Sequence, residues 1–390
     1  MDRPPCPHAR ENQPLLSPTS PKTPTTISPQ PAPQPPNPPP PAPTTPLSLP
    51  TRNKETQTPT TPPTWPPPQV RTSCADPLTW LGGPYAILLQ FAAPGIALGS
   101  CKHSRFATDG LSRLRRTAIF ILAVVCGTEH QREVVCDMIR RQHSQVRGRG
   151  YDARDVALQK WTAATLFAGQ EKVYEVFYAG GGRGWWSWGW GWVTGTGTGK
   201  GCVGVGVDGP EGLMATREKK ETLCLAYGAF ASSLDMPVEM WPGSLDEFEE
   251  YFDRQLDEYI HWHSEGQSLG EKEKGGEAQV HEASKQIART FLWDLHLPWW
   301  LRWMVPVMRL MMTFWLPPKL REAYGLPDPL DENMKWRGWK LSLQYTALIW
   351  YIWFLATVTP QKTKKRIFDW VIQDMKNAVE GIERTGRWTI

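Results

Sequence analysis

The stretch from Arg113 to Gly148, RLRRTAIFILAVVCGTEHQREVVCDMIRRQHSQVRG, predicts two consecutive helices. Arg113 and Thr117 are four residues apart, so on a helix they lie on one face. The uncharged run 118–125 continues that helix inward, and the second helical pattern ends at His143, with Gly148 as the expected helix stop. Buried polar side chains cost free energy unless they are paired. We therefore expect Arg113, Thr117 and His143 to form a site for a metal-centred or anionic cofactor.

The remainder of the chain from residue 76 onward also has helical patterns and predicts a multi-helix, all-α fold. The apolar segment WLGGPYAILLQFAAPGIALG at 80–99 is interrupted by glycine and proline, which favours buried helix and turn over a simple membrane span. Asp152 and Asp155 are expected to cap the next helix, and Ser244 is expected to cap the acidic helix LDEFEEYFDRQLDEYIHW.

Residues 1–75 form a tail rich in proline, threonine and serine, and most of the 38 prolines of the chain precede residue 80. A segment with so few apolar residues cannot offset the entropy cost of ordering, so we expect a disordered tail with polyproline II character. The tail has no basic start followed by an apolar core, and it therefore predicts no cleavable secretory signal.

The charge and the cysteine pattern exclude several classes of protein. The formal net charge is +4 and the basic residues alternate with acidic ones, which is not the footprint of a nucleic-acid-binding protein. The seven cysteines are odd in number and scattered, without a CxxC pair. This pattern predicts reduced thiols facing the cytosol rather than a disulfide framework or a zinc site. Among the other histidines, His261 and His263 are expected at the surface.

Two segments are interpreted as insertions into a domain that spans 76–330. The block 180–216 is rich in glycine and tryptophan, and its two GxGxxG matches neither follow a strand nor open a helix, so a dinucleotide site is not expected. Our hypothesis is that this block is a retained intron or a late insertion. The charged, glycine-rich segment 264–283 is expected to be an exposed loop.

The C-terminal part, 331–390, is predicted to contain helices that contact a membrane. Leu341 to Gln361 lacks charge and is long enough to cross a bilayer of about 30 Å. Its polar and tryptophan residues suit an interfacial or buried helix equally well, and both alternatives stay open. A helix at 299–316 could lie flat at the same surface.

The sequence resembles the catalytic domain shared by the endoplasmic-reticulum-bound oxygenase of mycophenolic acid biosynthesis (mpaB) and the bacterial rubber oxygenase, or latex-clearing protein. The resemblance covers Leu81 to about Pro327 without the two insertions. Its landmarks, in chain order, are GGPYAILLQFAAPGIALG, HSRF at His103–Phe106, RLRRT at Arg113–Thr117, HSQVRG at His143–Gly148, YDARDVALQKWTAATLF, MPVEMWP at Met236–Pro242 and LPPKLREAYGLP at Leu316–Pro327.

The resemblance implies a globin-like helical core around haem b. It implies that His143 is the axial ligand of the iron, with Arg113 and Thr117 beside the haem as catalytic and cofactor-binding groups, and His103 as a second pocket residue or a packing histidine. The resemblance also implies that Arg116, the third catalytic candidate, corresponds to a lysine in the distal pocket of the rubber enzyme. Arginine practically cannot lose its proton to ligate iron, so we expect the distal chemistry of this chain to differ from that of the rubber enzyme.

The leading hypothesis is thus an oxygenase that uses haem and O2 to oxidise or cleave a C=C bond of an apolar, isoprenoid-like substrate. We expect it at a membrane surface, on the cytosolic side of the endoplasmic reticulum, or alternatively in the cytoplasm. Two rival hypotheses remain: a degenerate, non-catalytic member that binds lipid or a protein partner, and an oxygenase with a non-haem metal.

Overall fold

The computed structural model describes residues 68–103, 106–179, 214, 216–268, 276–329 and 335–388. Within them the prediction of an all-α fold is confirmed, and the helices in chain order are α1 Pro68–Ala75, α2 Gly82–Gln90, α3 Pro94–His103, α4 Phe106–Cys126, α5 Glu129–His143, α6 Val156–Tyr174, α7 Arg217–Ser232, α8 Leu245–Ser268, α9 Gly276–Trp293, α10 Met304–Trp315, α11 Pro318–Ala323, α12 Lys335–Val358 and α13 Gln361–Thr385. Single helical turns occupy Pro77–Leu81, Glu175–Ala179, Val238–Met240 and Trp299–Leu301. Strands β1 Arg147–Gly148 and β2 Tyr151–Asp152 pair antiparallel.

Two predicted segments fall largely outside the described residues. The block 180–216 is described only at Met214 and Thr216, and the N-terminal tail only from residue 68. The tail was expected to be disordered as far as residue 75. Instead its last eight residues form α1, which buries Val70 and Ser73.

Helices α2 and α6 form the centre of the core, and two glycines allow their backbones to touch. A Cβ atom on Gly169 would lie 2.7 Å from the carbonyl oxygen of Gly82, and a Cβ atom on Gly82 would come still closer to the carbonyl oxygen of Gly169. Real Cβ atoms do not approach backbone oxygens so closely, so the contact requires glycine on both helices. Trp161 on α6 is fully buried and stacks on Phe252, with ring centroids 5.3 Å apart.

The chain bends by 102° between α2 and α3, as the glycine and proline pattern predicts. Pro94 has no N–H group, so the hydrogen-bonding pattern of α2 cannot continue through it. Carbonyl groups at the bend are satisfied by side chains from other elements: Tyr324 donates to Leu88 (3.0 Å), Trp161 to Leu89 (3.1 Å) and Ser284 to Phe91 (2.6 Å). These bonds fix the bend to the surrounding helices.

Helices α4 and α5 form an antiparallel hairpin, and α13 packs across it. The hairpin turn is closed by a capping box, in which Thr128 and Gln131 bond reciprocally to each other's backbone. The shared apolar cluster contains Ile119, Leu122, Val135, Met138, Met375, Val379 and Ile382. The C-terminal helix is therefore part of the same packed body as the helices that carry Arg113 and His143.

Three local predictions are corrected by the structure. Helix α5 ends at His143 with Ser144 as its C-cap, and Gly148 lies in β1 rather than at a helix stop. Asp152 accepts a bond from the backbone of Arg154 in a turn, whereas Asp155 caps α6 as predicted. The segment 264–283, expected to be a loop, is helical at both ends because α8 extends to Ser268 and α9 begins at Gly276.

Helix α12 lies along the outside of the core. One side packs against it: Tyr345 accepts a hydrogen bond from Trp315 (2.9 Å) and stacks on Phe314, with centroids 4.2 Å apart. The other side exposes Trp339, Leu343, Trp350, Tyr351, Phe354, Leu355 and Val358. Within the described part of the chain, Gly338–Val358 is long and apolar enough to cross a membrane, judged by length and composition alone.

Candidate functional site

Arg113 and Thr117 are joined directly, one helical turn apart on α4. The Arg113 Nη1 atom donates to the Thr117 hydroxyl at 2.8 Å, and that hydroxyl donates to the Arg113 backbone carbonyl at 3.0 Å. The hydroxyl therefore both accepts and donates, so its position is set by the helix and the guanidinium together. The sequence prediction that these two residues share a face is confirmed.

His143 lies at the last residue of α5, half-buried and close enough to Arg113 to feel its charge. Burial, and secondly the positive charge of Arg113, lower the pKa of the imidazole to about 4. At neutral pH the ring is therefore uncharged and has one unprotonated nitrogen. Arg113 and Thr117 are thus in direct contact, and the charge of Arg113 acts on His143 of the neighbouring helix.

Arg116 adds a second guanidinium to this group. Its Nε atom is buried and has no hydrogen-bond partner among the described residues. Burial lowers the pKa of Arg113, and the charge of Arg116 lowers it further. A buried guanidinium is stabilised by pairing with an anionic group, so the unpartnered Nε atom of Arg116 is the feature of this group that a ligand could satisfy.

His103 lies apart from this group at the end of α3. Its ring is exposed, and its Nε2 atom is 2.9 Å from the Tyr151 hydroxyl on β2. The Lys102 ammonium lies 5.3 Å from the centre of the same tyrosine ring. The contacts seen for His103 thus hold the β-hairpin against α3, and its assignment to the cofactor stays a prediction.

A pair of buried histidines was missed by the sequence analysis, which placed His263 at the surface. His263 and His281 are both almost fully buried, with ring centroids 5.7 Å apart, and Trp262 stacks on His281 at 3.6 Å. The signal was present in the sequence, because His263 extends the apolar stripe of α8 formed by Leu245, Phe248, Phe252, Leu256 and Ile260.

The hydrogen bonds of this pair identify its tautomer. Ser284 donates its single proton to Phe91, so the contact of 3.3 Å with His263 requires the Nε2 atom of the histidine to be the donor. The Nδ1 atoms of His263 and His281 are left buried and without a hydrogen-bond partner in the described part of the chain. Burial lowers the pKa of His263 to about 4, with the charges of His281 and Lys285 adding to the effect.

No group of three or more histidine, cysteine, aspartate or glutamate side chains within the described ranges is placed to hold a metal ion. The candidate site that we consider further is the Arg113, Arg116, Thr117 and His143 group at the open end of the α4–α5 hairpin. We call it the arginine–histidine site.

A family comparison assigns the chain. The model of the family described as "ER-bound oxygenase mpaB/B'/Rubber oxygenase, catalytic domain" matches residues 71–182 and 190–345, which is more than half of the chain. The chain belongs to this oxygenase family. No curated protein and no solved structure matches it.

The extent of the match to the oxygenase family fits the packed body seen in the structure. It begins within α1, includes the whole arginine–histidine site, is interrupted only over 183–189 in the Gly/Trp-rich block, and ends within α12. Helix α13 lies beyond the matched residues, yet it packs directly on α4 and α5.

Several large aromatic side chains of this oxygenase-family protein are exposed. Trp299, Trp300 and Trp303 precede α10, on which α12 packs, and the side chain of Trp299 is 81% exposed. Trp370 on α13 is 69% exposed. Isolated exposed apolar residues are ordinary, whereas contiguous groups of them are typical of interaction surfaces.

Proposed function

We propose that the protein is an oxygenase that uses haem b and O2 to oxidise or cleave a C=C bond of an apolar, isoprenoid-like substrate. The observation that carries the proposal is the match to the oxygenase family, and the half-buried His143, whose pKa is lowered by burial and by the charge of Arg113, agrees with it. A neutral imidazole is the form that ligates haem iron. The resemblance to the rubber-cleaving branch supplies haem as the cofactor, and the residues present fit it.

The residues that would hold the cofactor are those of the arginine–histidine site. His143 would ligate the iron, and the orphaned Nε of Arg116 would bond to a propionate. Haem, when bound, supplies the iron that activates O2. Arg113 keeps its charge when buried and stabilises negative charge, and it also orients the Thr117 hydroxyl as a hydrogen-bond donor.

Oxygen labelling tests the reaction directly. The purified protein with haem is incubated with a polyisoprenoid alkene under ¹⁸O₂, and the products are analysed by mass spectrometry. We expect aldehyde, ketone or oxygenated products that contain ¹⁸O and that form only when O2 is present. Products without the label contradict the oxygenase chemistry. A folded protein that binds no haem and makes no product supports the rival non-catalytic function.

We also propose that the protein binds the cytosolic surface of a membrane, with α12 lying in the interface rather than crossing it. Tyr345 fixes one side of α12 to Phe314 and Trp315 of α10. If α12 crossed the membrane, α10 would therefore be drawn into the bilayer with it. Its exposed tryptophans suit the interface, where an apolar ring with a polar N–H is favoured. The exposed basic residues Lys362, Lys365 and Arg366 begin the next helix and attract anionic lipid.

A further inference from the structure

Asp235 has an unusual backbone conformation for a residue with a side chain. Its φ is 77°, and among the described residues every other positive φ belongs to a glycine. It is the last residue of the turn 233–235, which follows α7. Aspartate tolerates this left-handed region better than most residues, but glycine adopts it without strain. Such positions persist where surrounding contacts over-determine them, so the contacts of the Asp235 side chain should explain its presence.

The Asp235 carboxylate binds Arg140 of α5. The Arg140 Nε atom donates to the two carboxylate oxygens at 2.9 and 3.1 Å, and the Nη2 atom donates to the Ser233 carbonyl at 3.2 Å. The Nη1 atom donates to Asp137 of the same helix at 2.8 Å. All three nitrogen atoms of the guanidinium are therefore engaged, and two of them bind the turn 233–235.

The turn 233–235 contacts the face of α5 on which His143 lies. Cys136, Arg140 and His143 are separated by four and then three residues, so they form one row on the helix. Cys136 is buried and its thiol contacts the Ser233 side chain. The first two residues of the row are thus held by the turn, and the third is the residue that the proposed function assigns to the iron.

The backbone connects Arg140 to His143 as well. The Arg140 carbonyl accepts the N–H of Ser144 at 2.9 Å, and this bond closes the last turn of α5, which contains His143. The last turn of a helix lacks the following turn that would hold it, and it frays readily. Because the Arg140 side chain is bonded to a separate element, the residue that closes this turn is restrained from outside the helix.

We propose that Asp235 is a positioning residue for His143 and acts through Arg140. The role of His143 as a haem ligand rests on the proposed function, whereas the restraint of the last turn of α5 does not. The two side chains of the pair are 40% and 64% exposed, so the restraint comes from the geometry of the bonds rather than from strong attraction.

Four variants separate positioning from stability. Asp235→Gly removes the carboxylate and adopts the positive φ without strain. Asp235→Asn keeps an acceptor oxygen and tolerates the same conformation, so it is the conservative variant. Asp137→Asn is the matched control, because it removes the other carboxylate from Arg140 and leaves both bonds to the turn. If Asp235→Gly is poorly folded, Arg140→Gln breaks the same contacts without changing the backbone of the turn.

Hydrogen exchange of the haem-free protein, measured by mass spectrometry on peptides that contain 141–146, reports on the last turn of α5. We expect exchange there to be about fivefold faster in Asp235→Gly, and close to the wild-type rate in Asp235→Asn and Asp137→Asn. Partners that directly orient a metal-ligating histidine change metal affinity about 10–100-fold. Asp235 acts one contact further away, so in a haem titration we expect about fivefold weaker binding to Asp235→Gly.

The two measurements distinguish this proposal from the proposed function. Wild-type exchange in a folded Asp235→Gly protein overturns the positioning role, and so does an equal effect in Asp137→Asn. Faster exchange with unchanged haem affinity also overturns it, because the restraint then does not reach His143. A wild type that binds no haem rejects the proposed function, and the exchange rates alone then support or overturn the restraint of α5 by Asp235.

Discussion

Arg115 and Asp374 form a two-pronged ion pair that connects α4 to α13. The Arg115 Nε and Nη2 atoms donate to the two carboxylate oxygens of Asp374 at 2.9 and 2.6 Å. The two residues are 259 positions apart in the chain. The pair thus fastens the C-terminal helix to the helix that carries Arg113 and Thr117, two residues on either side of Arg115.

A double-mutant cycle on this pair should give a coupling of about 1 kcal/mol in the free energy of unfolding. The side chains are 39% and 26% exposed, so solvent screens the attraction between the two charges. Because the pair has two hydrogen bonds, its coupling free energy should lie at the upper end of the range for surface ion pairs. The variants are Arg115→Met, Asp374→Asn and the double variant, measured by urea denaturation. The more exposed pair Lys365–Asp369 on the same helix is the control, with an expected coupling below about 0.5 kcal/mol.

Gly82→Ala should destabilise the protein strongly, whereas Gly83→Ala should not. A Cβ atom at Gly82 collides with the backbone of Gly169, so α2 and α6 would have to separate, at a cost of about 2–4 kcal/mol. At Gly83 the same change meets open space and removes a flexible glycine from a helix, which is neutral or mildly stabilising. Thermal denaturation of the two variants checks this, and equal losses in stability would refute the α2–α6 contact.

The free energy of unfolding should fall as pH is lowered from 6.5 to 4, and His263 should account for part of the fall. The folded pKa of His263 is about 4, below its usual 6.5, so in this window the unfolded chain binds a proton that the folded chain does not. The contribution is fully present above pH 6.5 and is lost as pH falls toward 4. At about 1.4 kcal/mol per pKa unit, the difference between 6.5 and about 4 contributes at most about 3.5 kcal/mol.

Denaturation of His263→Gln at several pH values measures this contribution. Between pH 6.5 and 4, the free energy of unfolding of the variant should change less steeply with pH than that of the wild type. This holds whatever the absolute stability of the variant. His296→Gln, at an exposed histidine, is the control and should retain the wild-type slope. If the free energy of unfolding has the same slope against pH in His263→Gln and in the wild type, His263 is not a neutral, buried ring.

Removing the exposed tryptophans should weaken membrane binding without unfolding the protein. The triple variant Trp299→Ser, Trp300→Ser, Trp303→Ser is compared with the wild type by flotation with vesicles of phosphatidylcholine and phosphatidylserine. Because the three rings are exposed, we expect an unchanged far-UV circular dichroism spectrum and at least tenfold weaker binding. The control is Val238→Ser, Met240→Ser, another pair of exposed apolar residues, which precedes α8. An equal loss of vesicle binding in both variants would contradict the proposal that the three tryptophans form a specific membrane-binding surface.

Helical periodicity was sufficient to predict the fold class and the nearest partners along the chain. The i,i+4 spacing of Arg113 and Thr117 fixed their contact, and the glycine and proline residues near Pro94 marked the α2–α3 bend. These features depend on local geometry, which a single sequence contains. The position of His143 at the end of α5 followed from the same pattern.

Contacts between distant segments were not predictable in the same way. Nothing local to Asp374 reveals that it meets Arg115, and the close approach of Gly82 to Gly169 depends on how α2 and α6 cross. His263 was assigned to the surface because the acidic composition of α8 outweighed its apolar stripe. The strand at Gly148 is not predictable either, because a two-residue strand leaves no periodic signal and a glycine after a helical pattern favours a helix stop.

The haem spectrum of His143→Ala is the most direct test of the account. The experiment compares the wild type, His143→Ala and the exposed-histidine control His296→Ala. Each protein is incubated with haem, excess haem is removed, and the Soret absorbance and iron content are measured. We predict a Soret band and one equivalent of iron, within error, in the wild type and His296→Ala, and the loss of both in a folded His143→Ala protein. Full haem content in His143→Ala would contradict the ligand assignment and with it the proposed site.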